Sequence, residues 1–320
     1  MIRNQWYSIL TSKEVKNKPV GIKRLSMDIV LFRDKDGNVH GFYDQCSHRG
    51  AKLSKGKIVG DCIQCPFHGI QFNPQGICET IPANGRSSNE DYERFNLKKL
   101  ILKEVYGIIF LWWGEDEPGE IRFFEELLDK DYSDAELYDP WSTHYSRVIE
   151  NQLDVIHLPF VHHNTIGRGN RTLVNGPSIN WEDDNTLIFS PNNEVDRGQK
   201  PKKPSETKPG RTYLKFIFPN MWVNFIIDKV KILALFVPVD EENTMLIIRL
   251  YNRLTGIKVI DGFIAWTSKL FNLIVERQDR RVVITQRPKT TKLKMGENLV
   301  QGDLPIIEYR RRREELKEKR

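Results

Sequence analysis

Two short runs bring thiols and imidazoles together: Cys46-Ser-His48 and Cys65-Pro-Phe-His68, with Gly50 and Gly69 just beyond the histidines. Each run offers one thiolate and one imidazole. Two Cys on one iron and two His on the other is the donor set of a 2Fe–2S centre that moves electrons one at a time. A Cys₂His₂ set also suits tetrahedral zinc. Zinc fingers, however, usually keep their two Cys on one knuckle and their two His on another. Here each run mixes the two, so two facing loops would clasp the metals from opposite sides. The chain has only four Cys and seven His. Random placement then predicts both runs together only ~0.01 times, which argues against a coincidence of buried cysteines and surface histidines.

A second group lies about 85 residues further on, at Asn151-Gln-Leu-Asp154-Val-Ile-His157-Leu-Pro-Phe-Val-His162-His163. Two His and one carboxylate on one face, with other positions left open, is the usual donor set of a non-haem iron that activates O₂. Asp154 and His157 are three apart and would share a helix face. His157 and His162 are five apart, about 140° out of register on a regular helix. Pro159 between them is expected to distort the helix and let both imidazoles converge. By pattern His162, not His163, is the ligand. Taken alone, the cluster also reads as ordinary histidines near a helix end.

The elements that must position these groups read as follows. In the first third, strands at 28–32 and 39–43 flank Asp36-Gly37, a hairpin signal. Cys62 and Cys78 read as packed strand residues, and 106–114 as a buried closing strand. The acidic stretch 115–120 marks a boundary, giving domains at 1–115 and 116–320. In the second part, 147–162 looks helical. Strands follow at 173–181, 187–190, 213–218, 222–227, 232–237 and 245–252, interrupted by a Lys- and Pro-rich loop at 196–210. A long helix is expected from Lys258 to Gln286, with Ile260, Phe263, Ile264, Phe271, Ile274 and Val275 on its apolar side and Pro288 as its stop. An antiparallel sheet wrapped on a long C-terminal helix is an α+β architecture.

Composition narrows the class. Four Cys, two already used, exclude a secreted disulfide framework. The opening Met1-Ile2-Arg3-Asn4-Gln5 leads straight into an apolar strand, and the greasy stretch from Ile257 to Val275 is interrupted by Lys258, Asp261, Lys269 and Asn272. No signal peptide and no membrane span are therefore expected, and a cytoplasmic location is the default. The net charge of +6 is modest. Arg310 to Arg313 sit among Glu308, Glu314, Glu315 and Glu318, the pattern of a solvated terminal helix rather than a nucleic-acid surface.

Taken together, the two groups resemble the catalytic subunits of Rieske non-haem iron oxygenases, of the vanillate O-demethylase and dicamba monooxygenase type. The resemblance runs over nearly the whole chain. It implies an all-β Rieske domain holding one 2Fe–2S cluster on Cys46, His48, Cys65 and His68, and a helix-grip-like catalytic domain holding one mononuclear Fe(II). The disulfide of respiratory Rieske proteins is not matched, because Ala51, Pro66 and Phe67 occupy its places. The family pattern N-x-x-D-x-x-H-x-x-x-x-H assigns His157 and His162 to the iron. Its third ligand maps to Asp279, with Gln278 and Ile284 where the pattern is acidic, so Glu276 stays open as another carboxylate. The resemblance further implies a head-to-tail homotrimer in which Asp154 bridges an iron-ligating His to a Rieske His of the next subunit. Asn151 would face the iron or the substrate, or merely cap the helix. Electrons would come from a ferredoxin or flavin reductase. O₂ would then be used to monooxygenate or O/N-demethylate a small aromatic or cyclic molecule. A ring-dihydroxylating dioxygenase and a non-enzymatic Rieske electron carrier with a ligand-binding domain are the other readings. Phe160, Phe218, Trp222, Phe225 and Phe236 are candidate pocket residues. Phe263, Trp266 and Phe271 lie either near an entrance for a lipid-like substrate or in a plain core helix.

Overall fold

The computed structural model describes residues 1–85, 91–128, 131–210 and 212–318. The chain forms two compact units, Asn4–Pro118 and Gly119–Arg320, the latter joined by Met1–Arg3.

The first unit is built of short strands: β1 (Gln5–Thr11), β2 (Val20–Arg24), β3 (Met27–Arg33), β4 (Val39–Tyr43), β5 (Lys57–Val59), β6 (Cys62–Gln64), β7 (Gln71–Phe72), β8 (Cys78–Thr80), β9 (Leu102–Val105) and β10 (Ile108–Trp113). They pair antiparallel in three sheets, ordered β1-β10-β9, β2-β3-β4 and β5-β6-β7-β8. The β3–β4 hairpin closes where Asp34 Oδ1 accepts the N–H groups of Asp36 and Asn38 at 3.0 and 2.8 Å, a side chain standing in for backbone in a tight turn. Alternate residues of β3 and β4 (Val30, Phe32, Phe42) turn inward and pack with Leu53, Ile63, Phe72, Cys46 and Cys65. Cys62 and Cys78 are buried strand residues, as expected.

The second unit centres on one antiparallel sheet of β11 (Ser133–Trp141), β12 (Leu173–Asp183), β13 (Thr186–Glu194), β14 (Tyr213–Ile217), β15 (Met221–Ile227), β16 (Val230–Pro238) and β17 (Thr244–Asn252). Their order is β11-β17-β16-β15-β14-β13-β12. Helices α1 (Tyr145–Leu153), α2 (Leu158–Val161), α3 (Lys258–Val283) and α4 (Leu304–Glu318) complete it. The α+β expectation thus holds, with β11 the strand that sequence reading missed. Its Ser133-Asp-Ala-Glu-Leu-Tyr-Asp-Pro run is too polar to show an apolar alternation. Trp141, Val148, Leu187, Phe216, Phe236 and Tyr309 lie in the shared core.

Three expectations need correction. The 147–162 segment is not one helix: α1 ends at Leu153, and Asp154 is extended (φ −74°, ψ 124°). Its carboxylate takes the N–H groups of Ile156 and His157 at 2.6 and 3.2 Å, so the break comes before Pro159 and is made by Asp154. Asp154 and His157 therefore do not share a helix face. Secondly, Ile260, Phe263, Phe271 and Ile274 of α3 are exposed, whereas its buried residues include Asp261, Glu276 and Asp279. Asp261 accepts the N–H groups of Thr255 and Gly256 in the turn before the helix, while Glu276 and Asp279 turn inward toward a site, the reverse of the usual pattern. The helix also ends at Val283, a turn short of Gln286.

Thirdly, the arginine run is not wholly solvated. Arg310 and Arg313, three apart and on one face, are buried; Arg311 and Arg312 point outward to Glu308 and Glu315. Arg310 grips both oxygens of buried Glu150 at 2.8 Å and reaches Glu297 at 2.7 Å. Arg147 joins the same Glu297 at 2.9 Å. Arg313 donates to Thr291 O at 2.7 Å and lies over the Tyr145 ring. This network fastens α1 to α4.

The start of α1 is held by His144, whose Nδ1 accepts from Ser146 N at 3.2 Å and pairs with Ser146 Oγ at 2.7 Å. The cap requires a neutral ring. Burial, helped by the cationic Arg313, N-terminus and Lys317, pushes the His144 imidazole down to about 3; Glu241 stands 3.6 Å from Nε2. Because the unfolded chain takes up this proton near pH 6.5 and the folded chain does not, His144 favours folding fully above that pH and progressively less below it. We predict a stability loss of about 2 kcal/mol from this residue between pH 7 and pH 5. Denaturant titrations of the wild type and of His144→Asn, which keeps an N-cap acceptor without titrating, will show a flatter pH slope in the variant.

Candidate functional site

In the first unit the two Cys/His loops have the same backbone pattern. Cys46 N donates to Ala51 O at 2.8 Å and Gly50 N to Cys46 O at 2.9 Å; Cys65 N donates to Ile70 O at 2.8 Å and Gly69 N to Cys65 O at 3.1 Å. Gly50 and Gly69 both have φ +75°, the left-handed region open to glycine. The loops bring the His48 and His68 rings to 4.7 Å between centroids. Both Cys are buried and undisulfided, and both His are exposed. Burial, reinforced by the adjacent Cys65 thiol, pushes the Cys46 thiol up to about 11, against the N–H groups of His48 and Arg49 aimed at it. Two buried sulfurs among backbone donors, paired with two facing imidazoles, fit a 2Fe–2S cluster: the metal supplies the charge that thiolates need.

In the second unit, His157, His162 and Asp279 each offer a ligand atom, all within 4.8 Å of one another. Asp279 Oδ1 is 3.0 Å from His162 Nε2 and 3.5 Å from His157 Nε2. His157 stands at the head of α2, His162 just past its end, and Asp279 on the buried side of α3. Pro159 sits in the first turn of α2, where a missing N–H costs nothing. The chain then folds back so tightly that a Cβ at Gly167 would fall 1.8 Å from Leu158 O. The two imidazoles are backed differently, His162 by a hydrogen bond and His157 by a nearby charge. His162 Nδ1 pairs with Gln278 Oε1 at 2.8 Å, and Gln278 is itself fixed by Thr165 Oγ1 and Asn164 Oδ1, both at 2.8 Å. His157 Nδ1 stands 3.5 Å from Asp154 Oδ1. Burial alone would lower the His157 pKa, but the carboxylates of Asp154 and Asp279 raise it overall. Burial likewise raises Asp154, and His157 with the N–H groups of Ile156 and His157 outweighs it. Two imidazoles with Nε2 turned toward one buried carboxylate are a donor set that fits a divalent iron.

The triad borders a cavity of about 550 Å³ whose walls include Leu214, Ile232, Leu250, Phe271 and Val275. Trp222 Nε1, Asn224 Oδ1 and Asn151 Nδ2 are buried without a hydrogen-bond partner among the described residues, and all three residues line this cavity. Of the five aromatic residues expected at a pocket, Trp222 lines it. Phe160 is exposed, and Phe218, Phe225 and Phe236 are packed elsewhere.

The structure thus brings His157, His162, Asp279, Asp154 and Asn151 to one place. Glu276 borders the same cavity outside the triad; burial, then the charges of Asp279 and Asp139, push its carboxyl well above the usual range. His163 turns away, its Nδ1 against Phe160 O. Gln278 was legible only as a departure from an acidic pattern; its role as the acceptor for His162 follows from the α2–α3 packing. Trp222 and Asn224 are indistinguishable from sheet residues in sequence.

The chain matches the Rieske 2Fe-2S domain over residues 5–100 and the vanillate O-demethylase oxygenase C-terminal domain over residues 141–319. It is 32% identical over 165 residues to the oxygenase component of dicamba O-demethylase from Stenotrophomonas maltophilia, covering 50% of this chain and 48% of that protein. To protein TIC 55 of Pisum sativum it is 26% identical over 327 residues, covering 96% of this chain and 57% of that one. The chain spans about half the length of these curated relatives. Among solved structures, NdmA of Pseudomonas putida CBB5 shares the fold at a TM-score of 0.80 and 22% identity, over 99% of this chain and 91% of that one.

Gln278→Leu removes the acceptor that orients His162 while keeping the side-chain size. We predict an iron affinity about 10- to 100-fold weaker at the second site, with the visible spectrum of the first site unchanged. Metal titration followed by iron analysis measures both.

Proposed function

The chain belongs to the Rieske oxygenases whose C-terminal domain is of the vanillate O-demethylase type, and from that premise we propose that it is the terminal oxygenase component of a monooxygenase or demethylase system. The observation that carries this reading is the buried His157–His162–Asp279 triad at the wall of an apolar cavity. The demethylase name of the dicamba relative favours single-oxygen chemistry over ring dihydroxylation. A bare electron carrier has no use for the second unit's triad and cavity.

We assign residues 1–115 to the Rieske domain and 116–320 to the catalytic domain. Cys46, His48, Cys65 and His68 would hold the 2Fe–2S cluster, and His157, His162 and Asp279 the mononuclear iron. When bound, the cluster passes single electrons from a ferredoxin or flavin reductase and the iron activates O₂. The chain's own contribution is placement. Gln278 fixes the tautomer of His162 by accepting from Nδ1, leaving Nε2 to the metal. Asp154 stands 3.5 Å from Nδ1 of His157, a charge contact rather than a hydrogen bond. In a head-to-tail trimer, Asp154 would also accept from His48 or His68 of the neighbouring subunit; the exposure of both rings supports this. The apolar walls exclude water and hold a small cyclic guest, while Trp222 donates to it and Asn151 and Asn224 bond its polar groups. A cytoplasmic setting supplies the reductase.

Oxygen uptake coupled to substrate loss, with a flavin reductase and ferredoxin added, tests the activity. We predict about three irons per wild-type chain and the loss of only the third in His157→Ala. Zinc with no visible absorption would overturn the assignment. Trp222→Phe keeps the ring and deletes the donor, so KM should rise by up to about tenfold with little change in kcat.

A further inference from the structure

Helix α3 carries an apolar stripe that no described element covers. Val259 is 83% exposed, Phe263 64%, Trp266 60% and Leu270 68%. They recur at three- and four-residue steps, so they form one side of the helix. The Phe263 and Trp266 rings stack at 6.1 Å between centroids. An exposed patch of this size on a folded unit marks a contact surface.

The charges identify what it contacts. All the acids of α3, namely Asp261, Glu276 and Asp279, are buried on its other side. Its exposed charges are Lys258, Arg277 and Arg281, with Lys269 half-buried. The adjacent β15–β16 turn adds Asp228 and Lys229, which cancel. The helix itself thus presents apolar residues and cations but no exposed acid, with Asp228 and, on β11, Asp134 beside its start; an apolar stripe with such an excess of cations is the pattern of a helix lying in the interface of an anionic bilayer. A two-fold contact of this face with its own copy would bring the same cations together and no acid from α3 to pair with them. Among the described residues no helix is long and apolar enough to cross a membrane, so the contact is one of lying on the surface. The cavity lies against the opposite side of α3, where Glu276 and Asp279 turn inward; Phe271, Ile226 and Leu254 line it and are exposed, so its mouth opens beside the helix.

We propose that the exposed face of α3 seats the protein on an anionic lipid bilayer, with Phe263, Trp266 and Leu270 in the acyl boundary and the cavity mouth beside the seated helix. The docking stands on the surface alone. Entry of an apolar, membrane-dissolved substrate through that mouth rests on the oxygenase reading.

Flotation of the purified full chain with phosphatidylcholine vesicles, with and without about a third phosphatidylglycerol, tests the docking. Binding is expected only to the anionic vesicles and weakens with salt. It should fall by about tenfold or more in the triple variant Phe263→Ser/Trp266→Ser/Leu270→Ser and fall likewise in Lys258→Glu/Arg277→Glu, each with an unchanged melting temperature. Failure of the wild type to float overturns the proposal, as does a triple variant that binds like the wild type. If the triple variant changes only the oligomeric state, the face is a self-association surface and the proposal fails. Docking without faster turnover of a vesicle-dissolved over a water-soluble substrate removes the entry route alone. No oxygen uptake with any electron donor would instead count against the oxygenase reading and leave the docking intact.

Discussion

The chemistry of the second unit hangs on the point where α1 stops. Had the helix continued through Asp154, the N–H groups of Ile156 and His157 would have donated to carbonyls one turn back, and His157 and His162 would point far apart. Instead the Asp154 carboxylate captures both N–H groups, the chain restarts at His157, and the short α2 returns His162 to the same side. One carboxylate therefore sets the path of the backbone and stands behind the Nδ1 of the histidine it positions. A substitution there would disturb shape and orientation at once.

Such a break is tolerable only because α1 is held firmly elsewhere. His144 caps its start, and Glu150 in its interior is gripped by Arg310 of α4 and neighboured by Arg147. Buried ion pairs contribute little net stability against apolar packing, but removing one partner leaves an uncompensated charge at a cost of about 3–5 kcal/mol. The network works as a register pin. It fixes the position of the helix whose last turn delivers Asn151 and Asp154 to the cavity.

What the sequence made legible follows from how local each feature is. The Cys46/His48 and Cys65/His68 loops are short and turn-bound, so type and spacing alone implied facing ligands. The β3–β4 hairpin was visible through Asp36-Gly37. His157 and His162 were read from their donor types and spacing and Asp279 by resemblance, and the convergence of the three depends on packing between α2 and α3 that no periodicity encodes. Gln278 looked like a defect in an acidic pattern because its partner lies 116 residues away. The apolar residues of α3 were assigned to the core since hydrophobicity reports a face, not which way it turns. Arg310 and Arg313 were hidden in a run that also holds the exposed Arg311 and the half-buried Arg312, so average charge masked a three-residue period.

The twin loops of the first unit have a consequence for how the two centres assemble. Cys46 and Cys65 are nineteen residues apart, and the two hairpin-like turns close on themselves through their own backbone bonds. Bringing His162 to the helix that carries Asp279 closes a segment of more than a hundred residues that contains the strands β12 to β17. Chain-closure entropy alone makes that second closure costlier by about 1.6 kcal/mol, and the intervening sheet must register first. The cluster site is thus a product of local contacts and the iron site of non-local ones. A ribosome-bound chain can finish the first while the carboxylate of the second has yet to be synthesised.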